Sequence, residues 1–354
     1  MTTKVATAQP PVLDVVDLHA VFHTEGATVH AVDGVSFGVR PEEVFAIVGE
    51  SGSGKTATAL AILGLLPRPG GEVVSGRVLY RGEDLVTATA ERRRSIRGDR
   101  IAMIFQDPLS ALNPVHRVGR QVAEVVLAHR DLTKDQAWGR AVELLKVVGI
   151  PNAEQRAGDY PHQLSGGMRQ RVMIAMAVAL DPDVLIADEP TTALDVTVQA
   201  QILEVLLDIR RRCGTAILLI THDLGVVAEV ADRVMVMYAG KKVEEAPVER
   251  LFRMPKHPYT WGLLASTTRV DRPRPERMYQ IPGAPPSLVH PPAACRFAPR
   301  CPHVEDLCRV EYPELRPAGP GQEAACHFAN RPGWKPRAAE KRRRPLVARS
   351  SRGR

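Results

Sequence analysis

No stretch of this 354-residue chain approaches the roughly 18–20 consecutive apolar residues that span a bilayer, so any membrane association is expected to be peripheral. The N-terminus, MTTKVATAQPPVLDVVDL, lacks a basic stretch leading into an apolar run and a small-residue cleavage site, so no secretory leader is expected. No internal repeat is present. The folded body also lacks net charge. The formal +7 suggests a nucleic-acid binder until it is located: residues 331–354 carry ten Lys or Arg against Glu340, a local +9, which leaves the rest near −2. A Pro- and Arg-rich end of this kind reads as a solvated disordered tail, with weak attraction to anionic lipid as a secondary use. No nucleic-acid partner is expected. What remains has the composition of a globular protein, 44% hydrophobic and 25% charged, with ample material for a core.

The strongest local pattern is VFAIVGESGSGKTATALAIL, residues 44–63. An apolar run from Val44 to Val48 reads as a buried strand. It leads into Gly49, Glu50, Ser51, Gly52, Ser53, Gly54, Lys55 and Thr56, after which a helical stretch begins. This is a P-loop in its required strand–loop–helix setting. The glycines let backbone N–H groups turn inward around phosphate at the positive end of a helix. Lys55 can reach the β- and γ-phosphates and the Thr56 hydroxyl can ligate Mg²⁺. The competing reading, a Gly-rich turn before an unrelated helix, does not explain the spacing.

A second apolar run, Val184 to Ala187 in DVLIADEP, delivers Asp188 and Glu189 to the carboxyl end of a strand, where ligands gather in open parallel sheets. Asp188 would serve the Mg²⁺ shell and Glu189 would polarise the attacking water as general base. A third strand in TAILLITHD ends at His222. A lone histidine there is usually structural, but its neighbours already describe a phosphate site, so it is expected to contact the γ-phosphate and hold the water and Glu189 in register.

Between these segments lies YPHQLSGGMRQRVMIAMAVALDP, residues 160–182. With it, the chain resembles the ATP-binding subunits of ABC transporters. Leu164–Met168 matches the signature loop; Gln106 in IAMIFQDP matches the Q-loop glutamine, a Mg²⁺ sensor; Ala193–Asp195 matches the D-loop; His222 matches the switch histidine. Phe22 falls where the family places an aromatic on adenine, with strand packing as the alternative. Met168 replaces the commoner glutamine and is a subfamily mark. Ser165, Gly166 and Gly167 can present hydrogen-bond donors at a helix N-terminus; in the family they cap ATP held by a different chain. The resemblance therefore implies a second ATPase subunit, in a heterodimer.

FQDPLSALNP (105–114), HPYTWGLLAS (257–266) and IPGAPPSL (281–288) look like the ATPases of dipeptide and oligopeptide importers, a branch that includes nickel uptake. The implied fold is α/β: a P-loop NTPase core with an antiparallel β portion, an inserted helical signature subdomain and a C-terminal Cys-rich extension. Residues 1–254 are expected to form the ATPase, with 108–182 as the helical subdomain, followed by the extension at 255–330 and the tail at 331–354. The resemblance implies an energy-coupling ATPase on the cytoplasmic face of the membrane, beneath two permease subunits and served by an extracytoplasmic peptide-binding protein. The alternatives are a nickel or other small-solute importer, a soluble ABC ATPase, or an iron–sulfur electron carrier with a vestigial nucleotide fold. Neither fused ATPase halves nor an inserted coiled coil supports the second class, and intact Lys55, Asp188, Glu189 and His222 oppose the third.

Five cysteines are present. Cys213 beside a strand reads as an inert core residue. Cys295, Cys301, Cys308 and Cys326 are separated by five, six and seventeen residues, which fits neither the usual zinc pairs nor the common ferredoxin spacings. The reducing context of an ATP-dependent protein disfavours disulfides. Spacing alone points to a metal without naming it; the resemblance adds a [4Fe–4S] cluster, with Zn²⁺ or four free thiols as alternatives. A structural staple is the expected role, with redox control the competing one. His303 and His327 are expected to be solvated.

Overall fold

The computed structural model describes residues 9–192, 194–266 and 279–334. β1 (Leu13–Thr24) and β2 (Ala27–Val39) pair antiparallel, and β3 (Val44–Val48) then starts a second sheet. β4 (Gly71–Tyr80) and the short β5 (Glu83–Asp84) complete the first sheet in the order β2-β1-β4-β5. This is the expected antiparallel portion. The P-loop helix α1 (Lys55–Leu63) and α2 (Ala90–Ile96) flank it in sequence.

The second sheet runs through β6 (Ile101–Ile104), β7 (Val184–Asp188), β8 (Ala216–Thr221), β9 (Arg233–Tyr238), β10 (Lys241–Pro247), β11 (Arg316–Gly319) and β12 (Gln322–Ala324). Its order is β11-β12-β10-β9-β3-β8-β7-β6, parallel from β9 to β6 and antiparallel beyond. The central strands are buried along their whole length, as near-continuous apolar runs require of a parallel sheet covered on both faces. Their side chains alternate between two cores. Val44, Ala46, Val48, Leu185, Ala187, Ile217 and Leu219 face one. Phe45, Ile47, Val184, Ile186, Leu218 and Ile220 face the other, which the antiparallel sheet closes.

Residues 108–182 carry α3 (Pro108–Ala111), α4 (Val118–Leu127), α5 (Lys134–Val147), α6 (Ala153–Arg156) and α7 (Gly166–Ala177), as the helical spacing predicts. α5 begins at a reciprocal capping box between Thr133 and Gln136. α8 (Val196–Cys213) stops at Gly214 with φ +66°. α9 (Leu224–Val230) follows β8, and α10 (Val248–Arg253) follows β10. Among the described residues no helix is long and apolar enough to cross a membrane.

The extension holds α11 (Pro258–Ser266) and α12 (Leu307–Val310) and is built into the core sheet through β12 against β10. Glu244, fully buried on β10, accepts from the backbone N–H of Lys256 (2.8 Å) and His257 (2.9 Å) and from Gln322 Nε2 (2.8 Å). Arg296 pairs with Asp33 of β2, which also takes Lys241 at 3.2 Å. Two sequence expectations fail here. Cys213 is exposed at the last residue of α8, its sulfur 3.5 Å from Asp181 Oδ1, because the helix presents its final turn to solvent. His303 is buried between the rings of Trp261 and Trp334, with centroids at 5.1 and 5.0 Å. His327 is half-buried, 3.2 Å from the Glu311 carbonyl.

Candidate nucleotide site

β3 ends at Val48 and the chain turns under α1. Gly49 and Gly54 must be glycines: a Cβ at Gly49 would lie 2.3 Å from the Met237 carbonyl oxygen, and one at Gly54 would lie 2.2 Å from that of Ala31, with φ at +102°. Lys55 is buried and donates to the carbonyls of Gly49 (2.8 Å) and Glu50 (3.0 Å). Burial draws the Lys55 pKa below its ordinary value, against the attraction of Glu189, Asp188 and Glu50. Ser51 and Gly52 are exposed, Gly54 is half-buried, and the buried Ser53 hydroxyl has no hydrogen-bond partner among the described residues.

Asp188, 1% exposed at the end of β7, has its pKa raised by burial and by Glu189, against a hydrogen bond from Thr56 and the charge of Lys55. Its Oδ1 is buried without a partner among the described residues. An orphaned carboxylate oxygen beside a hydroxyl at the P-loop suits a Mg²⁺ shell, so Thr56 and Asp188 fit the ion that the sequence implies.

Glu189 follows with φ +48°, an uncommon conformation for a side chain of its size. Its N–H donates to the Ile220 carbonyl at 2.8 Å. Thr192 Oγ1 donates to Oε2 at 2.8 Å, Gln106 Nε2 to the same oxygen at 3.2 Å, and His222 Nδ1 lies 3.1 Å from Oε1. Burial alone would raise the Glu189 pKa; Thr192, His222 and Lys55 prevail and hold it below the ordinary glutamate value. An open pocket of about 460 Å³ joins Gly49, Glu50, Ser51, Gln106, Glu189 and His222. β6, β7, β8 and the P-loop strand therefore deliver their expected groups to one place.

Ser165, Gly166 and Gly167 do not line this pocket. Ser165 caps α7, accepting from the Met168 N–H at 3.3 Å, and Ser165 and Gly166 are exposed. Asp195 caps α8, accepting from Val198 N–H at 3.0 Å; Ala193 lies outside the described residues. Phe22 stands half-buried on β1 opposite Gly71, against the core under the antiparallel sheet, and is not in the pocket lining.

The family model described as ABC transporter matches residues 32–192, and the one described as oligopeptide/dipeptide transporter, C-terminal region, matches residues 243–308. The probable peptide ABC transporter ATP-binding protein y4tR of Sinorhizobium fredii is 51% identical over 318 residues, 90% of this chain and 95% of that protein. The chain belongs to the ATP-binding proteins of ABC transporters. The dipeptide transport ATP-binding protein DppD of Bacillus subtilis is 52% identical over 85% of this chain and 90% of its own. Among solved structures, a dimeric ATP-binding cassette in a post-hydrolysis state with ADP and Pi superposes with a TM-score of 0.61. It is 25% identical and covers 67% of this chain and 98% of its own.

In this ABC ATPase the four clustered cysteines line one cavity with His257, Phe297, His303, Phe328 and Trp334. Burial raises the Cys295 pKa and pushes those of Cys301 and Cys326 up to about 12. Backbone N–H groups of Phe297 and Ala298 point at the Cys295 sulfur, that of His303 at Cys301, and those of Phe328 and Ala329 at Cys326. Among the described residues no three His, Cys, Asp or Glu side chains converge on a single metal ion.

Sequence reasoning missed three members of the nucleotide site. Thr192 was hidden in TT after DEP. Tyr259 and Arg300 reach the P-loop from the extension: the Tyr259 hydroxyl accepts from Glu50 N–H at 2.8 Å, and Arg300 pairs with the Glu50 carboxylate at 2.7 Å. No local pattern marks them, because their partner lies more than 200 residues away.

Proposed function

We propose that this chain is the ATP-hydrolysing, energy-coupling subunit of an importer for di- or oligopeptides. The observation that carries the reading is 51–53% identity to proteins named as peptide, dipeptide and oligopeptide transport ATP-binding proteins, joined to an intact nucleotide pocket. Gly49–Thr56 would bind the phosphates, and Phe22 the adenine. Thr56, Gln106 and Asp188 would hold Mg²⁺, which offsets charge on the β- and γ-oxygens. Glu189, ionised at neutral pH, would take a proton from the water attacking the γ-phosphorus as the bond to the ADP oxygen breaks. His222 would hold Glu189 and the γ-phosphate in register. Ser165, Gly166 and Gly167 would complete the site of a second ATPase subunit.

Phe105, Leu109 and Val115, exposed apolar residues around α3, suit docking against permease subunits at the cytoplasmic face of the membrane. The division into an ATPase (1–254), an extension (255–330) and a tail (331–354) follows the same reading, with one correction: Arg331 pairs with Glu305 and Trp334 packs on Trp261 and His303, so residues 331–334 belong with the extension. Reconstitution with the permeases and peptide-binding protein tests it: peptide should stimulate ATP hydrolysis. Stimulation by nickel and not by peptide would transfer the chain to the metal-importing branch.

For the extension, the reading carried from the sequence is an iron–sulfur cluster: four cysteine sulfurs line one cavity, and backbone N–H groups at three of them partly offset the burial that raises their pKa. Neither zinc nor a cluster finds its ligands gathered in this structure: among the described residues no three His, Cys, Asp or Glu side chains converge on one ion. Cys295, Cys301, Cys308 and Cys326 would hold the cluster, whose chemistry is to cross-link loops that have little core of their own. Anaerobically purified protein should carry about four irons per chain; stoichiometric zinc in a colourless preparation would reverse the assignment.

A further inference from the structure

Arg300 occupies the gap between Cys295 and Cys301, and its side chain is only 4% exposed. Nη1 donates to Glu50 Oε2 at 2.7 Å and Nη2 to Oε1 at 3.0 Å, a two-pronged pair. The remaining donors are occupied as well. Nε meets the Pro282 carbonyl at 3.0 Å, Nη2 the Ile281 carbonyl at 3.3 Å, and Nη1 the Tyr238 hydroxyl at 3.3 Å. The IPGAPPSL segment thus supplies the carbonyls that aim this guanidinium. α11 supplies the Tyr259 hydroxyl that accepts the Glu50 N–H. From inside the loop, Lys55 donates to the Glu50 carbonyl. The second residue of the P-loop is therefore fixed at its N–H, its carbonyl and its carboxylate.

Glu50 lines the pocket that takes the phosphates and is 27% exposed there. A free carboxylate at that position would repel a polyanion across a partly desolvated space. Arg300 removes that repulsion by pairing with the carboxylate and turning it toward the extension. The arrangement also explains why residues with little chemistry of their own, at 257–266 and 281–288, lie against the ATPase core.

We propose that Arg300 and Tyr259 are positioning residues for the nucleotide site, and that the extension sets ATP affinity by holding and neutralising Glu50. The proposal rests on the P-loop reading above, but not on the identity of the transported solute or of any metal.

The test measures Mg-ATP binding by the full chain, with melting temperature recorded for every variant. Arg300→Gln should weaken ATP binding about tenfold, the size expected of one unscreened charge beside the phosphates. Adding Glu50→Gln to it should restore affinity to within about threefold of wild type, since no carboxylate remains to repel. A purely structural role for Arg300 would not be rescued this way. Wild-type affinity in Arg300→Gln, or a double variant no better than the single one, overturns the proposal. If Arg300→Gln fails to fold, Arg300→Lys carries the test: it keeps the charge, loses the fork, and should bind about threefold more weakly, with equal binding counting against the idea. Lys55→Ala is the separate check on the P-loop itself. Retained ATP binding there would sink the site reading, whereas its loss beside an unaffected Arg300→Gln would sink only this proposal.

Discussion

The proposed reaction concentrates its chemistry in one side chain, Glu189. Its two carboxylate oxygens meet Thr192, Gln106 and His222, so its orientation is over-determined, as a residue held at φ +48° must be. Burial alone would raise its pKa, but Thr192, His222 and Lys55 lower it, so the carboxylate stays charged to lower pH than an ordinary glutamate. Replacement by glutamine keeps the shape and removes the base. Glu189→Gln should slow hydrolysis by about 10²- to 10⁴-fold while leaving ATP binding intact, measured as single-turnover rate and equilibrium affinity on the same preparation. Hydrolysis at the wild-type rate would place the base elsewhere.

Between elements, the joint that ties the extension to the antiparallel sheet centres on Asp33. This β2 carboxylate takes Lys241, Arg296 and His19, and although burial alone would raise its pKa, Lys241 and Arg296 hold it below the usual aspartate value. A depressed carboxylate pKa gives stability that is present above the unfolded value of 3.8 and is lost as pH falls through the folded one. Arg296 is nearly fully buried, so Asp33→Asn leaves a buried cation short of its counter-charge. The variant should lose about 3 kcal/mol at pH 7, and the gap from wild type should begin to narrow only below the unfolded value of 3.8 and go on narrowing as pH falls through the lower folded one, read from denaturant melts across pH. A gap that persists unchanged in acid would show that the loss is packing and not charge. The elements that position the nucleotide were legible in the sequence because each is a local pattern: Val44–Val48, Val184–Ala187 and the apolar run before His222 are buried strands, and their polar ends are the site. The extension was legible as a block of sequence, but its packing against the ATPase was not. Tyr259, Arg300 and Asp33 act through partners remote in sequence, which no local period marks, and burial of His303 comes from Trp261 of α11 and Trp334 far along the chain.

At the scale of the whole molecule, the pocket is one-sided. P-loop, Asp188, Glu189 and His222 gather at the carboxyl ends of the parallel strands, while Ser165 and Gly166 stand exposed at the head of α7 and outside that pocket. Donors at a helix N-terminus suit an anion, and one solved cassette of this fold is a dimer bound to ADP and Pi. The proposed completion of a second subunit's site by Ser165 predicts a role that separates binding from turnover. Ser165→Arg should leave the chain's own Mg-ATP affinity unchanged, because the loop lies outside its pocket. If a second ATPase subunit pairs with this chain as proposed, Ser165→Arg should abolish their ATP-driven association and lower hydrolysis by the assembled complex about a hundredfold, the usual cost of one lost oxyanion donor. Light scattering with and without ATP reads the association, and steady-state turnover reads the rate. If Ser165→Arg instead weakened ATP binding by the isolated chain, the signature loop would belong to its own site, and a single subunit would suffice.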